Sequence, residues 1–369
     1  MNFDFSEDEK LVRDQTARLL ADQCDSKVVR EVLEGRAVYA KGVWQGLCEM
    51  GLAGTAIPEA YGGVDAGYLA LCLVAQALGS KVAPTPFSSS VYLATEALLL
   101  CGTEAQKQAY LPKLASGALI GTLATTEDRT ELDGQNIKCT VSGGKLSGVK
   151  FAVADGGIAD CAVVLASSDA GPGLYLVDLT AAGVSRTNLE TVDPTRNTAR
   201  IEFANVSAEL LGADSGKGMA QLARIHDRAA VLFAFEQIGG AQAALDMAVA
   251  YARERFAFGR PIGSFQGLKH MMADMYVALK LAESNCYYAA WALATDAAEL
   301  PLAAATARVS ATQAYQLCSR DNIQVHGGMG FTWEFDCHLY YRRSNYLALE
   351  LGGLNVWENK LVNALPSAA

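Results

Sequence analysis

Three long alanine-rich segments in the second half of the chain constrain its fold more than any other feature. They cover residues 227–256, 267–300 and 301–327, and each keeps an apolar stripe at helical spacing. Segments of this length exceed an ordinary globular helix, and continuous apolar faces of this kind are typical of helical bundles. We therefore predict a C-terminal bundle of long helices.

The first third of the chain also has a helical pattern, but in shorter pieces. Ser6 stands where an N-cap is expected, directly before an acidic run that leads into an apolar stripe. Glycine and proline interrupt the pattern at 51–67, 82–87 and 111–121. These signals predict an N-terminal domain of several helices.

Between these two helical regions, about residues 118–211, short β-branched runs alternate with Gly, Asp and Ser turns. Strand and helix do not alternate here, which argues against a doubly wound nucleotide-binding sheet. We predict an α+β multi-domain protein with a middle antiparallel β-barrel or sandwich. The predicted domains are 1–117, 118–212 and 213–369.

Composition narrows the classes of partner. Apolar residues make up 51% of the chain and charged residues 19%, a balance that favours covered helices and subunit contacts, so we expect an oligomer. The net charge of −10 argues against nucleic acid. The apolar stretch 67–102 contains polar residues and prolines, which argues against a membrane span.

Cysteine and histidine usage gives no sign of metal or disulfides. The nine cysteines form no C-x-x-C pair and follow no secretion signal, which indicates reduced thiols in a cytoplasm. The four histidines lack metal-ligand spacing. Gln266, His270 and Asp274 share one helix face, which we interpret as a polar surface stripe. We predict no metal site.

Several motifs occur in one order along the chain, and together they resemble the acyl-CoA dehydrogenase family of flavoproteins. The motifs are IPEAYGG (57–63), LATTE (123–127), GVKFAV (148–153), RFAFGRPIGSFQ (255–266) and QVHGGMGF (324–331). The segments DPTR (193–196) and LYYRR (339–343) look like the heteromeric bacterial enzymes of steroid side-chain degradation. The resemblance covers essentially the whole chain.

This resemblance implies an activity, a cofactor and partners. The activity is α,β-desaturation of an acyl-CoA thioester, with hydride passed to flavin N5. FAD would be bound between the middle β-domain and the C-terminal bundle, with its adenine end reaching a neighbouring subunit. The implied partners are an electron-transferring flavoprotein and one or more subunits of a homo- or hetero-oligomer, dimer or tetramer, in a bacterial cytoplasm.

The resemblance also implies which residues contact the flavin ring. Backbone groups of Ala124, Thr125 and Thr126, with the Thr126 hydroxyl, would serve the pyrimidine edge. Phe151 stands where the family usually has a tryptophan, so it can pack against the ring without donating a hydrogen bond. Val153 stands where a threonine is common, so a hydroxyl contact is missing there.

The resemblance assigns the adenosine and pyrophosphate half of FAD to Arg255, Phe258, Gln266, Gln324, Gly327 and Gly328. Arg255 suits the pyrophosphate because a guanidinium bonds such groups with two parallel donors. The two glutamines can bond the adenine–ribose half, and the glycines allow close backbone approach. The loop 128–134 departs from the family's Pro-Gly-x-Gly-Ser pattern, and Arg129 is a candidate to supply charge there.

The catalytic base is the largest departure from the family pattern. The usual glutamate position before a glycine holds Leu351, and Glu350 lies one residue earlier, a shift of about 100° on a helix. A second family location for the base holds Ala229. Its neighbours Asp227 and Arg228 are candidate substrate-binding residues, with Arg228 suited to acyl-CoA or a carboxylate.

Three hypotheses follow. In the first, local distortion at Leu349–Gly353 brings Glu350 into the site, and the chain is a self-sufficient dehydrogenase. In the second, the subunit lacks a base and either shares FAD sites with a partner that supplies it or is a structural subunit that binds FAD poorly and serves assembly. The third is a flavin oxidase or monooxygenase on the same scaffold. Small residues at 229, 230 and 234 favour a bulky or steroid-type acyl chain.

Overall fold

The computed structural model describes residues 5–128 and 134–365. The helices in these ranges are α1 (Glu7–Gln23), α2 (Ser26–Leu33), α3 (Lys41–Glu49), α4 (Gly67–Ser80), α5 (Glu96–Cys101), α6 (Glu104–Ala115), α7 (Gly218–Glu254), α8 (Gln266–Ala294), α9 (Leu300–His326), α10 (Cys337–Leu347) and α11 (Leu354–Ala364). The strands are β1 (Gly121–Ala124), β2 (Thr140–Ser142), β3 (Lys145–Ala154), β4 (Cys161–Ser168), β5 (Gly171–Asp178), β6 (Val184–Asn188), β7 (Thr198–Ser207), β8 (Glu209–Leu210), β9 (Phe256–Ala257) and β10 (Arg260–Pro261).

The predicted fold class is confirmed, with helices, then strands, then long helices in chain order. The three long segments form α7, α8 and α9, of 37, 29 and 27 residues. Ser6 begins α1 through a capping box with Glu9, in which each side chain bonds the other residue's backbone N–H. Helix α7 starts at Gly218, well before the alanine-rich run that predicted it.

The middle strands form one mixed sheet whose two halves meet at β4. One half runs β6-β7-β3-β2 and the other runs β4-β5-β8, with β1 also on β4. Most pairs are antiparallel, but β1 and β2 pair with β4 in parallel. The β2–β4 pairing consists of Thr140 opposite Ser167 alone. The described strands therefore make a sandwich-like open sheet, with β6 and β8 as edges, and no closed barrel.

Strand β1 carries the LATTE motif and is held by a buried polar network. A π-helical segment, Ser88–Thr95, packs against it and is buried at every residue. Its Ser90 hydroxyl accepts a hydrogen bond from the Gly121 N–H at 3.2 Å. Its Ser89 hydroxyl donates to Asp155 at 2.7 Å, and Asp155 also pairs with Arg196 at 3.2 Å. The arginine of the DPTR segment thus anchors the surroundings of β1.

The chain forms two compact units that each combine stretches distant in sequence. The first contains Met1–Val29, Tyr68–Ala83 and Ala230–Ala369, and the second contains Arg30–Gly67 and Pro84–Ala229. Helix α7 contributes its first turns to the second unit and the remainder to the first. The three-domain division of the sequence stays a prediction.

Within the first unit, α4 and α7 cross at glycines that let the two backbones touch. A Cβ on Gly79 would lie 1.8 Å from the Glu236 carbonyl oxygen, and one on Gly239 would lie 2.0 Å from the Gln76 carbonyl oxygen. Real Cβ atoms do not approach backbone that closely, so the crossing requires that both residues are glycines. The same crossing fixes the middle of α7.

Replacing Gly79 by alanine should lower the free energy of unfolding by ~1–3 kcal/mol, because the new methyl group overpacks a rigid backbone contact. Thermal and urea unfolding followed by circular dichroism measure this change. Gly42→Ala in α3 is the control, since a Cβ there meets nothing within 4 Å and alanine is the better helix former. Equal stability of the two variants would contradict the close crossing.

Candidate active site

The end of β1 leaves an edge of backbone that the protein only partly covers. Ala124 is buried, Thr125 is half-buried and Thr126 is exposed. The Thr126 carbonyl accepts a hydrogen bond from the Phe151 N–H at 2.8 Å, which ties the strand end to β3. The structure therefore brings together four of the residues assigned to the flavin ring.

A buried ion pair holds the end of β1 in place. The Lys150 ammonium is fully buried and donates to the Glu127 carboxylate at 2.7 Å and to the Thr125 carbonyl at 3.1 Å. Glu127 also accepts the backbone N–H groups of Lys138 and Cys139, at 2.6 and 2.9 Å. Burial raises the pKa of Glu127, but these hydrogen bonds outweigh it and hold the pKa below its ordinary value.

A β-bulge in β3 separates the two predicted side chains near the ring. The register against β7 shifts between Lys150 and Val153, and Ala152 takes a left-handed conformation with φ 52°. Phe151 is 42% exposed as a result. Val153 is buried opposite Ala199, so its side chain belongs to the interior of the sheet.

The substrate-binding candidates lie in the first turns of α7. Arg228 forms a buried ion pair with Glu96 of α5, a partner that the sequence did not indicate. Asp227 and Ala229 are also buried. Because the Arg228 charge already has a carboxylate partner, binding a second carboxylate there would require an exchange of partners.

In the first unit, a short hairpin presents the residues assigned to the adenosine half. Strands β9 and β10 are joined through Phe258 and Gly259, both with positive φ, and Phe258 is 95% exposed. The side chains of Arg255 and Gln266, on either side of the hairpin, are also exposed. An apolar ring held in the open by a left-handed backbone is unusual for a non-glycine residue.

The end of α9 completes this exposed group. Gln324 is exposed, and a Cβ on Gly327 or Gly328 would meet nothing within 4 Å, which leaves open space over this backbone. His326 stacks on Tyr251 of α7 with ring centroids 4.1 Å apart and bonds the Asn322 carbonyl. Burial lowers the pKa of His326, so a neutral imidazole joins the ends of α7 and α9.

Glu350 lies in a turn and not in a helix. Helix α10 ends at Leu347, and Leu351 and Gly352 have φ values of 62° and 99°. Glu350 is half-buried, and its carbonyl accepts a hydrogen bond from Arg308 at 2.8 Å. The backbone of Leu349–Gly353 is thus distorted away from the helix.

Three important charged groups were missed in the sequence: Lys150, Glu96 and Arg308. Each is buried, and Lys150 and Arg308 interrupt otherwise apolar runs, which was the signal available. A lone charge in such a run predicts a buried partner, but the partner is distant along the chain. Arg129, the candidate for charge in the 128–134 loop, lies outside the described residues.

Two general features concern ligands and membranes. Within residues 5–128 and 134–365, no group of three or more His, Cys, Asp or Glu side chains is arranged to hold a metal ion. None of the helices described above combines the length and apolar character that a membrane span requires.

Family models match most of the chain. The N-terminal domain of acyl-CoA dehydrogenases matches residues 6–118, and the C-terminal domain matches residues 216–364. The chain is 35% identical over 342 residues to "Acyl-CoA dehydrogenase IpdE2" of Mycobacterium tuberculosis, covering 92% of this chain and 91% of that protein.

Solved structures agree with this match. The ChsE4-ChsE5 complex from Mycobacterium tuberculosis contains a chain with a TM-score of 0.90 and 26% identity, with both chains fully covered. A variant of the Tcur3481-Tcur3483 steroid ACAD gives a TM-score of 0.88 at 28% identity, with 97% of each chain covered. With family models covering both ends and a relative matching nearly its whole length, this chain belongs to the acyl-CoA dehydrogenase family, flavoprotein oxidoreductases that act on acyl-CoA.

Proposed function

We propose that this chain catalyses FAD-dependent α,β-desaturation of an acyl-CoA thioester, with Glu350 as the base. The observation that carries the proposal is the distorted turn after α10, which takes Glu350 out of the helical register. Removal of an α-proton requires a carboxylate within hydrogen-bond reach of that carbon. Glu350 is the one acidic side chain of this turn.

The residues of the second unit fit the ring end of FAD. The exposed strand end at Thr125 and Thr126 offers backbone groups and a hydroxyl of the kind that bonds the pyrimidine edge. Phe151, turned outward by the bulge, offers an apolar face for the ring. When bound, FAD supplies the acceptor for the hydride that leaves the β-carbon.

The exposed group of the first unit suits the adenosine and pyrophosphate of a neighbouring subunit's FAD. Arg255 supplies a guanidinium for phosphate, and Phe258 supplies an uncovered ring. Gln266 and Gln324 supply amides, and Gly327 and Gly328 leave open space above the backbone. Assembly with the neighbouring subunit would cover the exposed ring of Phe258.

In the proposed reaction, the carboxylate of Glu350 accepts the α-proton as the hydride leaves the β-carbon. The Arg228–Glu96 pair remains neutral overall and lies in the substrate-binding region assigned from the sequence. The α-proton therefore has one assigned acceptor in this chain.

A steroid-type or other bulky acyl chain is the substrate class we propose. One of the similar structures is a steroid ACAD. In this chain, small residues at 229, 230 and 234 give the first turns of α7 little side-chain volume. An electron-transferring flavoprotein is the proposed acceptor of the electrons. Nine free cysteines support the proposed cytoplasmic location, where thiols stay reduced.

A heteromeric arrangement is the second candidate, and two observations favour it. Leu351 stands at the usual base position, with its backbone in a left-handed conformation. One similar structure is a complex of two named chains. In this arrangement the chain contributes to shared FAD sites, and the partner supplies the base.

Flavin bleaching tests both candidates. The purified chain, alone and mixed with candidate partners, is reconstituted with FAD and titrated without oxygen with octanoyl-CoA and a steroid-type acyl-CoA. We expect bound flavin and faster bleaching by the steroid-type thioester. Bleaching only after a partner is added would favour the heteromer. Failure to bind FAD in every mixture would overturn the proposed function.

A further inference from the structure

A buried arginine contacts the backbone on both sides of the proposed base. Arg308 lies in the third turn of α9 and is 1% exposed. Its Nη2 donates to the carbonyl oxygens of Leu347 and of Glu350, the latter at 2.8 Å. Its Nη1 donates to the Gln237 side-chain oxygen at 2.7 Å. A fully buried arginine is rare, and its hydrogen bonds show where its charge is used.

The Leu347 carbonyl is one of those that a helix end leaves without an intrahelical partner. Leu347 is the last residue of α10, and Glu350 belongs to the turn that follows. Helical carbonyls in the last turn have no intrahelical donor, and a cation there is favoured by the helix dipole. Arg308 therefore satisfies the end of α10 and fixes the backbone of Glu350 in the same contact.

The turn needs such a restraint because its conformation is unfavourable by itself. Leu351 has φ 62°, a left-handed conformation that is unfavourable for a residue with a Cβ because the Cβ crowds the carbonyl oxygen. Strained backbone of this kind persists where the surrounding contacts enforce it. Within the turn, the Leu349 N–H donates to the Tyr346 carbonyl and the Gly352 N–H donates to the Leu349 carbonyl.

Two uncharged side chains, Gln237 and Thr312, orient the guanidinium of Arg308 through hydrogen bonds. Gln237 of α7 is fully buried, and its amide nitrogen donates to the Thr312 hydroxyl at 3.0 Å. Thr312 lies one helical turn beyond Arg308 on α9. Burial lowers the pKa of Arg308, and the carboxylates of Glu350 and Glu236 partly offset this, so that the pKa is about 10. The arginine therefore stays charged at neutral pH.

We propose that Arg308 is the positioning residue of the base, holding the turn that directs the Glu350 carboxylate. This inference rests on the proposed function of Glu350. The backbone conformation of this turn sets the direction of the Glu350 side chain, so loss of the restraint would misdirect the carboxylate. Misplacement of a reacting group by about 1 Å costs up to ~10²-fold in rate. Substrate binding does not depend on that direction.

Arg343 provides a matched control in the same unit. It is as deeply buried as Arg308, and it lies near Glu236 at 3.6 Å. Its backbone partners are the carbonyls of Val82 and Ala83, at 3.1 and 3.4 Å. Losing Arg343 thus removes a buried arginine without releasing the carbonyls of Leu347 and Glu350.

The test compares Arg308→Met, Arg308→Lys and Arg343→Met in the FAD-loaded chain, with its partner if one is needed. The readouts are the limiting rate of flavin reduction by a steroid-type acyl-CoA, its half-saturation concentration, and amide hydrogen exchange over residues 346–353. We expect Arg308→Met to lower the limiting rate ~10²-fold with little change in half-saturation, and to speed exchange at Leu349 and Gly352. Arg308→Lys, which keeps one charged donor, should recover part of both.

The outcomes separate this inference from the proposed function. If Glu350→Gln slows reduction while both Arg308 variants reduce flavin normally, the role of Arg308 is wrong and that of Glu350 stands. If Glu350→Gln has no effect, the proposed base fails, and the positioning role fails with it. If Arg343→Met slows flavin reduction and speeds amide exchange as much as Arg308→Met does, the effects come from a general loss of packing, and the inference is overturned. Should Arg308→Met not fold, Arg308→Lys should still reduce flavin more slowly than wild type, and a wild-type rate and exchange in that variant would overturn the inference.

Discussion

Replacing Glu350 by glutamine should slow flavin reduction by acyl-CoA ~10²–10⁴-fold, the usual contribution of a positioned general base. Glutamine keeps the size of the side chain and the backbone contact with Arg308, but it cannot accept the α-proton. FAD binding should be unchanged, because none of the proposed cofactor contacts involves Glu350. Anaerobic stopped-flow reduction with a steroid-type acyl-CoA measures the rate.

Glu358→Gln is the control for this experiment. Glu358 is an exposed carboxylate on α11, close in sequence and outside the proposed site, so its loss should leave the rate unchanged. A normal rate in Glu350→Gln would exclude this residue as the base. If the chain then needs a partner for activity, the base must come from that partner.

The helical part of the fold was predictable from local pattern. The long apolar stripes of α7, α8 and α9 and the capping box at Ser6 are written in neighbouring residues. The alanine-rich segment 227–256 covers α7 only from its tenth residue, because the first turns, GMAQLARIH, lack the alanine-rich run. The π-helical segment Ser88–Thr95 depends on tertiary contacts that no local signal encodes.

The sheet and the site were predictable only in part. Individual strands follow from β-branched runs, but the parallel pairing of β1 with β4 joins residues about forty positions apart. The family motifs identified candidate cofactor residues, including the exposed Phe258. The contacts that restrain them, Lys150 with Glu127 and Arg308 with Leu347 and Glu350, link distant segments. Their energies depend on burial, which the sequence does not give.

The second large effect is expected at the Lys150–Glu127 pair. Lys150→Met should lower the free energy of unfolding by ~3–5 kcal/mol, because it leaves the Glu127 carboxylate buried beside backbone donors without its cation. It also releases the Thr125 carbonyl, so FAD affinity should fall. Urea unfolding and FAD titration measure the two effects. Lys150→Met combined with Glu127→Gln should recover much of the stability, because no charge is then left uncompensated.

The pH dependence gives this prediction its direction. The pKa of Glu127 is lowered in the folded chain from the ordinary value of 4.5, so its stabilisation is complete above that value and is lost as pH falls through the lowered pKa. The difference in stability between wild type and Lys150→Met should therefore be full at neutral pH and shrink in acid. Lys217→Met is the control, because its pair with Asp214 is exposed and contributes at most about 1 kcal/mol. A Lys150→Met variant as stable as Lys217→Met at neutral pH would show that this pair does not hold the strand end.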